Sequence, residues 1–346
     1  MERYVAVDSG KFATKLAWAN EDLTAVQKCQ FRTKMGHGNM LDDEIGRGTY
    51  VVQIGEEVYK IGNAASTAAE LVTSKKSEIH RNCTILALAL IASENETDEF
   101  HVAIGTPIDD YLAVERRLEY RDFILPEGEM TVLYKTQKSD IVKKTFKIVK
   151  RYVYPESAGG LYLDAVKNRT TAAIIDIGSL NVSETLYQGF EPDREHSITG
   201  ELGGQILIRN LASELSSQLG MRCDETLVSE VLRGPLELRF LTPNVPNAEI
   251  EDLSRDIIND YMLRHTREIK RLADSKRWSL DFIPLTFIGG TSAILAPEIR
   301  QVFGDTVTIA EYPEFVNALG FLYRMVAYET DKLLPLDTNA ASRLTA

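Results

Sequence analysis

The stretch AAIIDIGSLNVSET, residues 172–185, decides how the rest of the chain is read. Apolar residues from Ala172 to Ile175 lead into Asp176, Ile177, Gly178 and Ser179, and a second strand-like run follows. A buried strand does not need an acid at its end, because desolvating a carboxylate is costly. A glycine at the tip of a tight hairpin lets backbone N–H groups approach a ligand where a side chain would clash, and such groups cradle phosphate oxygens. A carboxylate beside a polyphosphate is repelled unless a divalent cation lies between them. Mg²⁺ suits that place, since it keeps most of its waters and needs only one or two carboxylates besides the phosphates.

The same arrangement opens the chain. RYVAVDSG reads as a buried strand ending in Asp8-Ser9-Gly10, and KFATKLAWA as its hairpin partner. A single Asp-x-Gly is a common turn. Two copies, each after an apolar strand and about half a chain apart, predict a phosphate clamp built from two facing hairpins. Asp8 and Asp176 then orient the hydrated metal. Lys15, seven residues after Asp8, reaches back toward the phosphates as a point charge; alone it reads as a surface lysine.

Two further segments fit. FIGGTSAIL (287–295) predicts a strand, a turn at Gly289-Gly290-Thr291 and a helix whose N-terminus favours anions, although a tight strand–helix turn has the same look. YPESAGG (154–160) offers Glu156 to orient a water near a terminal phosphate; taken alone, it is an acid at a helix start.

Around these segments the order alternates between strand and helix. Hairpins are predicted at 3–19 and 50–62, a loop at 33–48, a buried helix at 82–93, a strand at 100–108 and one helix from 109 to 123. Strands at 130–135 and 145–157 follow, then a helix starting after Gly159-Gly160. Beyond 185 the pattern predicts helices at 203–220, 249–275 and 291–299, a short strand at 306–310 and a last helix at 313–328, with a loose tail from Asp337. Basic residues in 145–157 alternate with apolar ones, as on a solvated sheet face, and His265 sits on the apolar stripe of a long helix as a satisfied core histidine.

With 346 residues, 44% apolar and 26% charged, the chain is long enough for two domains with large cores. A net charge of −12 makes it a poor direct binder of nucleic acid or anionic membrane. Cys29, Cys83 and Cys223 show neither zinc nor redox spacing and read as reduced, packed thiols. MERYVAVDSGKF is a strand rather than a signal peptide, and the most apolar run, 84–92, is too short to span a bilayer, so a cytoplasmic protein is expected.

These residues together resemble the actin, sugar kinase and heat-shock ATPase superfamily, and within it the bacterial plasmid-segregation actins of the ParM type. VAVDSGKFATKLAW and IIDIGSLNVSE look like its two phosphate hairpins, YPESAGG and EFVNALGFLY (314–323) like its connecting segments, and FIGGTSAIL is similar to its adenosine motif. VYKIGNAA and VAIGTPIDDY also resemble ParM-type segments.

The resemblance implies an α/β actin-like ATPase fold, with two duplicated RNase-H-like α/β domains around a nucleotide cleft. The first domain is expected over 1–165, with 33–75 as a smaller insertion and a C-terminal helix, about 325–336, packing back on it. The second is expected over 166–324, with about 205–280 as a helical subdomain.

The resemblance further implies ATP or GTP with Mg²⁺ as cofactors. Asp8 and Asp176 would hold the metal through water, and Glu156 would polarise the attacking water. Ser9, Gly10, Lys11, Lys15, Gly178, Ser179 and Asn181 would lie at the phosphates, with Gly10 and Gly178 giving N–H groups. Gly203 and Gly204 would lie near ribose and base, and Gly289, Gly290 and Thr291 against the nucleoside and α-phosphate. Many relatives read Asp-x-Gly-Gly-Thr-Thr at the second hairpin; here Ser179, Leu180 and Asn181 stand there, and Leu180 cannot bond a phosphate. Lys11 and Phe12 replace the serine and small residue of actins.

The implied function is a nucleotide-hydrolysing filament. It would partition plasmids by polymerising with itself and engaging a DNA-binding adaptor of the ParR type on centromere-like plasmid DNA, without touching nucleic acid or membrane. The 33–48 loop is a candidate protomer contact. A bacterial cytoskeletal scaffold is the alternative. A small-molecule kinase would need a further aspartate base, and a chaperone ATPase a substrate-binding domain.

Overall fold

The computed structural model describes residues 1–42, 45–69, 72, 74–94, 96–163 and 171–335. The predicted loose tail from Asp337 lies outside them. The chain divides into two compact units, Met1–Asn168 with Phe315–Ala346, and Arg169–Glu314. Each has its own apolar core.

The first unit opens with the hairpin of β1 (Glu2–Ser9) and β2 (Ala13–Ala19), continued by β3 (Val26–Arg32). Three successive strands, β4 (Lys34–His37), β5 (Thr49–Ile54) and β6 (Glu57–Gly62), and the short β7 (Thr67–Ala68) form the far end of the same sheet. The predicted loop at 33–48 thus begins as a strand: residues 34–37 pair with both β6 and β7, a non-local partnership that glycine-rich sequence does not announce. Helix α1 (Glu78–Ile91) is buried along almost its whole length, as its apolar sequence demands. Strand β8 (Asp98–Thr106) follows, then α2 (Ile108–Leu112) and α3 (Val114–Ile124). The single helix expected at 109–123 is broken where Ala113 adopts extended backbone, φ −95° and ψ 103°.

Strands β9 (Gly128–Lys135) and β10 (Val142–Pro155) complete a ten-stranded sheet of order β3-β2-β1-β8-β10-β9-β5-β6-β4-β7. Within it β1, β8 and β10 run parallel, so their C-terminal ends, at Ser9, Thr106 and Pro155, lie along one edge. Helix α4 (Ala158–Leu163) begins at once after β10 and contains Gly159-Gly160, which the sequence had suggested would precede it.

The second unit repeats the opening theme. The hairpin of β11 (Thr171–Ile177) and β12 (Val182–Gln188) is extended by β13 (Glu191–Pro192) and β14 (Ile198–Gly200). Helices α5 (Gly204–Leu219), α6 (Glu225–Arg233) and α7 (Ala248–Ser275) follow. Helix α6, which the sequence reading passed over, is capped by Asp224, whose Oδ1 accepts from Leu227 N at 2.9 Å. In α7, Asn247 caps the first turn, and the buried His265 has its Nε2 3.0 Å from Leu202 O. Strand β15 (Leu285–Ile288), α8 (Gly290–Ile294), α9 (Ala296–Phe303) and β16 (Thr308–Ile309) finish the unit. Here β11, β15 and β16 run parallel, matching β1, β8 and β10.

The last helix, α10 (Val316–Thr330), groups with the first unit over its whole length, whereas the sequence reading divided it near residue 325. Its burial is nearly all-round from Val316 to Tyr323, and a methyl group on Gly320 would lie 2.3 Å from Gly159 O in α4. Backbone contact that close ties the helix to this unit. No described helix is long and apolar enough to cross a membrane.

Candidate functional site

Open α/β sheets present ligand-binding groups beyond the carboxyl ends of their parallel strands, where backbone and helix termini are exposed. Both units place their acids there. In the first, Asp8 is next to last in β1, with Lys15 directly opposite on β2. Lys15 Nζ lies 3.4 Å from Asp8 Oδ2. The carboxylate is buried, with the residue only 6% exposed. Ser9 Oγ is 3.2 Å from Thr14 Oγ1, which is 3.0 Å from Thr33 Oγ1, so a chain of buried hydroxyls braces the hairpin from below. Phe12 is covered by the Arg32 guanidinium, 3.4 Å above its ring.

At the end of β10, on the same edge, Glu156 N donates to Thr106 O at 2.8 Å. Ser157 follows in left-handed backbone, φ +75°, a conformation that costs a non-glycine residue of order 1 kcal/mol. This turn sets the direction in which Glu156 leaves the strand. Its carboxylate is ion-paired with Lys75, a residue of the segment leading into α1. Burial works against the Lys75 charge, but Glu156 and then Asp8 more than offset it and raise its pKa. Lys11 donates to Val72 O, and burial, followed by the like charge of Lys75, lowers its pKa to about 8. His80, on α1, is fully buried; desolvation first, then Lys75 and Lys11, push it down to about 3, so it is neutral. Among the described residues, Asp8, Lys11, Lys15, Lys75 and Glu156 therefore form one charged group, three lysines with two acids.

In the second unit Asp176 is the penultimate residue of β11, opposite Ser183 on β12 and Ile288 on β15. Gly289, just past β15, packs against it. Thr291 Oγ1 donates to Gly178 O at 3.0 Å, joining the start of α8 to the hairpin tip. The N-terminus of α5 closes on the same tip: Gly203 N donates to Leu180 O at 2.9 Å and Gly204 N to Gly178 O at 3.0 Å. A methyl group on Gly203 would fall 2.3 Å from Leu180 C, so only glycine admits this approach. Asp176, Gly178, Ser179, Gly203, Gly204, Gly289 and Thr291 are thus brought together, while the Asn181 residue is exposed. Gly290 stands in more open surroundings, with the nearest atom to a Cβ there being Glu314 Cβ at 3.6 Å.

Two details depart from expectation. Gly10 N donates inside its own turn, to Asp8 O at 3.0 Å and Ala13 O at 3.1 Å, and Gly178 N donates to Asn181 O at 2.9 Å. These amides close the hairpins, so the glycines shape the turns and any phosphate must be met by other groups. Likewise the Gly203 and Gly204 amides hold the second hairpin. The Ser179 hydroxyl, in contrast, is buried with no hydrogen-bond partner among the described residues. Lys75 and His80 escaped the sequence reading because SKKSEIH looks like an ordinary charged run before a helix; only the sheet brings it to Glu156.

No group of three or more His, Cys, Asp or Glu side chains suited to a metal occurs among the described residues. Within each unit the hairpin carboxylate belongs to no such group among the described residues, which fits a cation held mainly by water and phosphate and does not fit one held in a protein cage. The orphaned Ser179 hydroxyl fits a nearby polar ligand group.

Residues 6–159 match the family model for the N-terminal domain of actin-like proteins. No curated protein matches the chain by sequence. Among solved structures, the Alp12 filament shares 20% identity and a TM-score of 0.70, covering 94% of this chain and 99% of that one. Ta0583, an archaeal actin homologue in complex with ADP, gives 19% identity and a TM-score of 0.66 over 92% of this chain and 98% of its own. A ParM from Clostridium botulinum, solved as a 15-stranded filament, gives 16% and 0.69 over 94% and 99%. At these identities the likeness concerns the fold, and the fold is actin-like.

Proposed function

Starting from a chain with the actin-like fold, we propose that it binds ATP or GTP with Mg²⁺, hydrolyses it, and forms filaments whose assembly the nucleotide controls. The observation that carries this reading is the pair of acids Asp8 and Asp176. Each is the penultimate residue of the first strand of a hairpin, beside a parallel strand, with glycine two residues on. In this reading Asp8 and Asp176 orient the metal's water shell, and Lys15 and Lys11 balance phosphate charge. The Ser179 hydroxyl donates to a phosphate oxygen. Gly289, Gly290 and Thr291 border the nucleoside side, and Gly203 and Gly204 fix the second hairpin for ribose and base. Glu156 holds the attacking water. Bound Mg²⁺ supplies positive charge to the phosphates.

Filament formation is supported by the solved filaments of Alp12 and ParM, which share the fold. Plasmid partitioning, through an adaptor of the ParR type on plasmid DNA, is the cellular role we propose for such a filament; the acidic balance of −12 fits a protein that leaves DNA contact to a partner. The test is direct. Mg-ATP or Mg-GTP added to the purified chain should raise light scattering and pelletable protein at tens of micromolar. Absence of polymer with either nucleotide would overturn the filament reading. Glu156→Ala should slow phosphate release and prolong the polymer; unchanged hydrolysis would remove Glu156 from its assigned role.

A further inference from the structure

Lys75 belongs to no motif, yet it is the cation on which the proposed water-positioning acid rests. Its ammonium is ion-paired with Glu156, and the two side chains are only 13% and 17% exposed. Both ends of the pair are fixed independently. Glu156 is anchored by its N–H on Thr106 O and directed by the left-handed Ser157 that follows. The Lys75 segment is tied to the first hairpin, because Lys11 donates to Val72 O, three residues before it. Lys75 also lies within the field of Asp8, so the acid proposed for the metal shell and the acid proposed for the water both act on its charge.

We propose that Lys75 is a positioning residue shared by Glu156 and the terminal phosphate of a nucleoside triphosphate, and that this sharing lets the site tell triphosphate from diphosphate. This rests on the nucleotide-binding reading given above. The chemistry follows from counting donors. A lysine ammonium has three N–H donors and a carboxylate has acceptor sites to spare. One N–H holds Glu156; the others are suited to a phosphate oxygen, and a carboxylate has lone pairs enough to accept from a water as well as from the ammonium. Three lysines and two acids meet there among the described residues, and the negative charge of a terminal phosphate, which a diphosphate lacks, is attracted to the ammonium groups. Lys75 so couples the presence of the third phosphate to the placement of the acid. A compact ammonium suits the task better than a planar guanidinium, which matches one partner bidentately.

The experiment measures affinity of the full chain for Mg-ADP and for a Mg-bound non-hydrolysable triphosphate, by fluorescence of labelled nucleotides, with turnover measured separately on ATP and GTP. Wild type should prefer the triphosphate. Lys75→Met should reduce that preference roughly tenfold while Mg-ADP affinity stays within about twofold, and should lower kcat. A general loss of structure would weaken both nucleotides alike. Glu156→Gln guards against a Lys75 variant that fails to fold: by freeing the ammonium it should strengthen the triphosphate preference while abolishing most turnover. An unchanged ratio in Lys75→Met, or a weakened one in Glu156→Gln, overturns the proposal and leaves nucleotide binding standing. If wild type binds neither nucleotide, the functional reading falls and this inference falls with it.

Discussion

Gly289 sits so close to Asp176 that a methyl group on it would lie 2.4 Å from Asp176 Oδ1 and 2.5 Å from Ile177 O. Its backbone is also in the left-handed half of conformational space, φ +85°. The position is doubly reserved for glycine, by conformation and by space. The cause is the parallel pairing of β11 with β15, which sets Asp176 beside Ile288 and makes the chain turn away directly over the carboxylate. Gly289→Ala should therefore cost the second unit about 1–3 kcal/mol in denaturant unfolding. It should also weaken Mg-nucleotide affinity by displacing Asp176. Retention of both wild-type stability and wild-type affinity would show that the turn is not what holds the acid.

Ser179 offers a cleaner separation of fold from ligand. Its hydroxyl is buried and has no hydrogen-bond partner among the described residues, which costs stability rather than adding to it. Ser179→Ala should leave the unfolding midpoint unchanged or slightly raised. Nucleotide affinity should fall several-fold, because the proposed phosphate contact goes with the hydroxyl. Titration of labelled nucleotide against both proteins checks this, and equal affinities would return the serine to a purely structural role.

The parts of this molecule that were legible in advance are those written locally. Each Asp-x-Gly hairpin carries its strands, its acid and its turn within fewer than twenty residues, so 3–19 and 172–189 read as hairpins that the structure contains. The 249–275 stripe likewise gave the long helix. What failed to show was non-local. Strand β4 exists because β6 and β7 flank it, and Lys75 matters because β10 ends beside it. Helix α6 is a different case: its Asp224 cap and the buried Val228 and Leu232, four residues apart, were there to be read. The glycine amides were misassigned for a geometric reason, since a tight hairpin uses its tip N–H to close itself.

The three cysteines should be chemically silent in the folded chain. Burial pushes the Cys29 and Cys83 thiols up to about 12, so almost no thiolate forms at either at pH 8, and burial also raises Cys223. A chromogenic disulfide reagent at pH 8 should label native protein slowly, at the rate of unfolding, and react with all three thiols in denaturant. Rapid labelling of a native thiol would show that its site opens far more readily than its packing implies.

Glu184 makes the second unit less stable as pH rises from acid toward about 9. It lies on β12 next to Ser183, the partner of Asp176, and faces Ile175 and Ile198 across the ladder. The residue is fully buried, and neither carboxylate oxygen has a hydrogen-bond partner among the described residues. Burial, with the charge of Asp274, pushes its pKa up to about 9. An unfolded glutamate titrates near 4.3. Between these values the folded chain holds a proton that the unfolded chain has lost, so stability declines as pH rises through that window. The contribution is fully present below about pH 4 and gone once pH passes about 9, with a slope of up to about 1.4 kcal/mol per pH unit. Glu184→Gln removes the titration while keeping the shape. Its unfolding midpoint should exceed that of wild type at pH 8.5 by clearly more than at pH 5.5; the comparison between the two proteins cancels the other carboxylates. Parallel stability curves for the two proteins across that range would mean that Glu184 is charged and solvated in the native state.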